Sequence, residues 1–179
     1  MNRTFSAWLR SAATLTLVLA AGTVLAAKPH QHGTVKLEVA IEGEKLSIAM
    51  KAPLDNLLGF ERAPRSEAER QAAAEVLARL RSGAPLFTTD AAAQCTLASA
   101  EVQAGVLEPG AKPGGDGDHA DLEAMYAFRC AQPQQLRTLQ VGLFEAFRRI
   151  QRIDVQVVGP QGQTKATLKR PARTVKLGR

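Results

Sequence analysis

The sequence predicts one α+β domain: antiparallel strands in the order ββαββαββ, with two helices packed on the sheet. Two observations carry this expectation. Apolar residues alternate with polar ones in six short runs, the period of a half-buried strand, and they recur at helical spacing in two longer runs. Such an order places helices on one face of a sheet. Aromatic residues make up only 4% of the chain against 45% hydrophobic residues in all, so the core is expected to consist of Leu, Val, Ile and Ala.

Residues 1–26 precede the first run and read as a signal peptide. Arg3 and Arg10 give a positive start, Ala12 to Leu25 is apolar and uncharged, and Val24-Leu25-Ala26 supplies a cleavage pattern. The run is shorter than the roughly 20 residues that a membrane-spanning helix needs. Export places the mature chain in the periplasm, as a single domain over residues 27–170 followed by a basic tail over residues 171–179. The mature chain keeps 21 Lys and Arg against 17 Asp and Glu, a formal +4. That balance is too weak to argue for nucleic acid.

Val35, Leu37, Val39 and Ile41 define a first strand. Glu42-Gly43-Glu44-Lys45 turns the chain, and Leu46, Ile48 and Met50 define a second strand, so residues 34–52 read as a hairpin ended by Pro53. Residues 54–64 read as a loop with a buried Leu57-Leu58-Gly59-Phe60. Ser66 and Glu69 form a capping box at the start of a helix whose buried stripe is Ala72, Ala73, Val76, Leu77 and Leu80, with Gly83 as its stop.

Residues 94–103 and 122–130 read as two further strands. Setting Cys95 opposite Cys130 makes paired numbers sum to 225, so Leu97 faces Phe128 and Ser99 faces Tyr126. Pro133 is expected to open a second helix with Leu136, Leu139, Leu143 and Phe147 as its stripe. Ile153, Val155 and Val157 give a fifth strand, Gly159-Pro160-Gln161-Gly162 a turn, and Thr164, Ala166 and Leu168 a sixth. The chain from Lys169 onward is expected to be loose.

Cys95 and Cys130 face an oxidising compartment, where pairing is the default. A bridge across about 35 residues stabilises by roughly 4 kcal/mol in the chain-entropy model. A redox role would want the two close in sequence and exposed; the other alternative is a thiolate ligand for zinc.

Chemistry concentrates in three histidines. His30 and His32 stand in His-Gln-His-Gly, and residues one apart on a strand point the same way. His119 lies in the glycine-rich stretch 114–121 with Asp116, Asp118 and Asp121, and Glu123 follows. Neutral imidazole and carboxylate suit zinc. His30, His32 and His119, with Asp118 or Asp121, therefore form the candidate metal set; the alternative is a set of polar residues near a loose terminus. Gripping copper or nickel through the new amino terminus is excluded, because Pro29 has no amide proton to lose. Asp116-Gly117-Asp118 fails as a calcium loop, since Ala120 sits at a ligand position and no Glu follows at the twelfth. No spacing matches a nucleophile motif, so an enzyme is not expected. The basic residues from Lys165 to Arg179 fit a solvated end, with anionic lipid or polysaccharide as the alternative partner.

Several stretches together carry a resemblance: His30-Gln-His-Gly-Thr-Val-Lys-Leu-Glu-Val-Ala, Pro53-Leu-Asp-Asn-Leu-Leu-Gly-Phe-Glu-Arg-Ala-Pro, Ala93-Gln-Cys95, His119-Ala-Asp121, Tyr126-Ala-Phe-Arg-Cys130 and Gly162-Gln163. In order and spacing they resemble the ZrgA-like periplasmic zinc-uptake proteins over about residues 30–170. The resemblance implies a periplasmic protein that buffers zinc or delivers it to a membrane zinc-uptake transporter, with His30, His32 and His119 among its ligands. Two departures remove ligands: a His, Asp and Glu-rich run common in the family is shortened here to residues 115–121, and Arg62 stands where Phe-Glu-His is frequent. Arginine does not ligate metals at ordinary pH. The alternative is an envelope interaction module that kept the fold and lost most of its metal ligands.

Overall fold

The computed structural model describes residues 31–83, 85–107 and 120–178. The signal peptide, His30, Asp116, Asp118 and His119 lie outside the described residues. Among those described, no helix is long and apolar enough to cross a membrane.

The hairpin forms where alternation placed it, as β1 (Thr34–Glu42) and β2 (Lys45–Pro53). Gly43 takes φ +57° in the turn, a value that glycine adopts without steric cost. The expected loop after Pro53 instead begins with one helical turn, α1 (Leu54–Leu58), which Gly59 closes in the left-handed region at φ +86°. Next comes α2 (Glu67–Ser82). The Glu69 N–H donates to Ser66 Oγ at 3.2 Å, and Gly83 ends the helix at φ +65°. Glu69 also accepts from the Arg65 N–H and from both prongs of Arg62. Ala73 and Leu80 are buried and Val76 and Leu77 half-buried, but Ala72 faces solvent, so the stripe is narrower than expected.

Three more strands follow: β3 (Phe87–Thr89), β4 (Cys95–Gln103) and β5 (Asp121–Cys130). Cys95 and Cys130 are disulfide-bonded and face each other, and Leu97 faces Phe128 as the pairing rule requires. A bulge after Leu97 then shifts the register. Ser99 pairs with Ala127 and Ala100 with Tyr126, which corrects the expected Ser99–Tyr126 pair.

The second helix does not form. Residues 133–135 make one 3-10 turn, β6 (Thr138–Val141) is a strand, and α3 (Leu143–Ala146) is a single turn. Gly142 lies between the last two, and a Cβ there would stand 2.7 Å from the Pro85 carbonyl oxygen. β7 (Arg152–Gly159) and β8 (Gly162–Lys169) follow as expected. The segment expected to be loose forms β9 (Thr174–Lys176), with Val175 and Leu177 buried.

Among the described residues the order ββαββαββ is thus replaced by nine strands in two sheets: β4-β5-β2-β1-β7-β8 and β3-β6-β9. The larger sheet is mixed, not antiparallel, because β1 and β7 run parallel, with Leu37 beside Val155 and Val39 beside Val157. A parallel neighbour needs a long crossover, and residues 43–151 provide it. Val35, Leu37, Ile48, Met50, Tyr126 and Val155 are buried on the inner face of this sheet. They share one core with Leu80 of α2 and with Leu139, Val141 and Val175 of the smaller sheet. The Phe87 and Tyr126 rings meet across the two layers at 4.9 Å.

Candidate functional site

One end of the large sheet gathers the start of β1, the end of β2 with α1, and the start of β5. The Ala120 carbonyl accepts from the Leu54 N–H at 2.9 Å, and Pro53 pairs with Asp121. His119 is peptide-bonded to Ala120, and His30 is two residues before His32. The topology therefore brings the attachment points of both histidine-bearing segments to the same end of the fold.

His32 itself does not sit on a strand. It lies in a turn closed by Thr34 N–H to Gln31 O at 3.0 Å, and β1 begins after it. Same-side pointing along a strand therefore does not relate it to His30. Gly33 makes the turn possible. Its φ is +77°, its N–H donates to Asn56 Oδ1, and its carbonyl accepts from the N–H groups of Gln151 and Arg152. A Cβ at Gly33 would lie 3.3 Å from Gln151 Cγ. Asn56 is 1% exposed and returns a bond from Nδ2 to Thr34 O at 2.8 Å. Its amide thus ties α1 to the entry of β1.

On this base His32 stands between two carboxylates. Nδ1 lies 3.2 Å from Asp55 Oδ2, and Nε2 lies 4.0 Å from Glu61 Oε1. The imidazole is 62% exposed and the two carboxylates about a fifth, so an ion from solvent reaches the ring while its acidic neighbours are held by the fold. Asp55 is fixed from behind by Arg149, whose Nη2 donates to Oδ1 and whose Nε donates to the Asp55 carbonyl, each at 2.9 Å.

Two ligands of a tetrahedral zinc at bond lengths near 2.0–2.2 Å are roughly 3.3 Å apart. The 4.0 Å between His32 Nε2 and Glu61 Oε1 is wider than that separation, so the two could serve as a ligand pair only after closing on an ion. Among the described residues, no group of three or more His, Cys, Asp or Glu side chains comes together to hold a metal. Further donors would therefore come from residues such as His30 and His119.

Asp121 is held on the sheet by Lys51, whose Nζ is 3.1 Å from Oδ2 and 2.9 Å from Glu123 Oε1. Hydrogen bonding to Glu123 and Asp121 raises the Lys51 pKa, so it is charged at neutral pH. A metal drawing on Asp121 competes with that ammonium. Cys95 and Cys130 are consumed in their bridge, which removes a thiolate ligand from consideration.

Sequence reasoning passed over Asp55 and Glu61. Both lie in residues 54–64, which read as a loop around a buried Leu57-Leu58-Gly59-Phe60; the two acids flanking that apolar run were the available signal. Arg62 is explained as well. It stacks on the Phe60 ring at 5.0 Å and forks onto Glu69, turned toward the start of α2.

A search of curated proteins finds no match for this chain. The model of the ZrgA family zinc uptake protein matches residues 29–177, a span that takes in His30, the Asp55–Glu61 turn, the disulfide and β9. The chain belongs to the ZrgA family of zinc uptake proteins.

Proposed function

We propose that the protein binds zinc reversibly in the periplasm and buffers it or delivers it to a membrane uptake transporter, in a binding rather than a catalytic role. The zinc is cargo. The observation that carries this reading is the setting of His32, exposed to solvent, with one nitrogen on Asp55 and the other facing Glu61. Membership of a zinc uptake family supports it. The proposed ligands are His32 and Glu61, completed by two donors from among His30, His119, Asp118 and Asp121. Imidazole must be neutral to bind, so acidification should weaken zinc binding.

Calorimetric titration of the tag-free mature protein with zinc tests this. Binding should be lost when His30 and His32 are both changed to Ala. If that variant takes up zinc as well as the parent, the ligand assignment is wrong. One observation favours a second reading, a non-metal interaction module: the residue beside Glu61 is an arginine committed to Glu69, so a frequent family ligand position is spent on a helix start. That reading predicts no zinc uptake by the parent after chelator treatment.

A further inference from the structure

We infer that Asp55, clamped by Arg149, is the positioning residue that sets the tautomer and direction of His32, presenting Nε2 to the metal beside Glu61. The inference rests on the zinc reading above and extends it to residues outside the ligand set.

The argument starts from what each group can donate. An ionised carboxylate only accepts hydrogen bonds. Asp55 Oδ1 accepts from Arg149 Nη2 at 2.9 Å, which leaves Oδ2 toward His32 Nδ1 at 3.2 Å. That contact is a hydrogen bond only when Nδ1 carries the proton. In the neutral ring the lone pair is then on Nε2, the atom that faces Glu61.

A histidine that ligates through one nitrogen and donates from the other to a carboxylate has its ring orientation fixed and its basicity raised; loss of such a partner typically weakens metal binding 10- to 100-fold. Arg149 adds a second level. It holds both the side chain and the backbone carbonyl of Asp55, so the carboxylate cannot swing toward the ion and become a ligand without breaking that grip. Arg149 comes from the segment leading into β7, where the N–H groups of Gln151 and of Arg152, the first residue of β7, also grip Gly33. One short segment thus fixes both the backbone beside His32 and the carboxylate behind its ring.

The test uses the mature full chain with zinc as the probe and two readouts. Long-range proton–nitrogen NMR on the zinc-free, ¹⁵N-histidine-labelled protein reads the His32 tautomer. In the parent, Nδ1–H should predominate; Asp55→Ala should return the ring toward the Nε2–H form favoured by an unconstrained histidine side chain in water. Calorimetry should then show zinc bound about 10- to 100-fold more weakly by Asp55→Ala, with a thermal midpoint close to the parent's. Arg149→Met leaves the carboxylate in place, guards against a folding defect in the first variant, and should weaken binding several-fold with a partial tautomer change. A parent that binds zinc, with both variants matching it within twofold and an unchanged tautomer, overturns this inference and leaves the zinc reading standing. A parent that binds no zinc overturns both.

Discussion

Asn56 is the buried polar residue on which the geometry around His32 depends. Its carboxamide accepts from Gly33 and donates to Thr34, so a single side chain satisfies two backbone groups at the point where the chain enters β1. Replacing it with Ala leaves a backbone N–H and a carbonyl without their partner at a part-buried position. Each such group costs roughly 1–3 kcal/mol. Asn56→Ala should therefore lower unfolding free energy in urea by about 2–4 kcal/mol, with a larger effect on order at His32 than on distant residues. A loss under about 1 kcal/mol would mean that the turn satisfies itself in another way. The residues that matter most here were the least visible in sequence. Asn56 and Asp55 sit in a five-residue helical turn too short to show a period, and their partners Gly33 and Arg149 are 23 and 94 positions away.

At the scale of elements, legibility followed the length and purity of the pattern. The β1–β2 hairpin, α2 with its Ser66 cap and Gly83 stop, and the β7–β8 pair each have a clean period bounded by turn residues, and each formed. The failure after Pro133 is instructive. Leu139, Val141 and Leu143 follow a strand period, while Leu143, Phe144 and Phe147 follow one helical turn; overlaid, the two imitate a longer helical stripe. Gly142 was the interrupting signal. In the tail, Val175 and Leu177 alternate, but the surrounding charge masked them. Parallel pairing of β1 with β7 was not readable, because either strand's alternation suits any neighbour.

The start of α2 gives a pH prediction. Bonding to the Arg62 side chain, with help from the Arg65 N–H, brings the Glu69 carboxyl down to about 2 from an ordinary 4.5. The folded state therefore favours the ionised form more than the unfolded chain does. The stabilisation is full above about pH 4.5 and is lost as pH falls toward 2. The thermal midpoint of the parent should drop faster across that window than that of Glu69→Gln, and parallel curves would show that the Arg62 fork contributes nothing.

Over the whole molecule, charge is divided unevenly. Residues 147–179 carry nine Lys and Arg and one acid, Asp154, whereas residues 27–146 carry twelve basic and sixteen acidic residues. Lys165 and Lys169 of this basic stretch fall on β8, the outer strand of the large sheet. An exposed edge of eight residues is a template for pairing with another copy, and lysines on such an edge oppose it. Lys165 and Lys169 serve that purpose. An antiparallel pair of β8 strands centred on Thr167 sets each Lys165 against the other copy's Lys169; one centred on Lys165 sets that residue against itself. Like charges directly opposite are destabilising. Lys165→Val with Lys169→Val removes the repulsion and, beside the exposed Val158, adds apolar surface with high strand propensity. Sedimentation should then show concentration-dependent dimers or larger species where the parent stays monomeric. A double variant that remains monomeric at high concentration would show that another feature guards the edge, and the basic end would be left without a structural role.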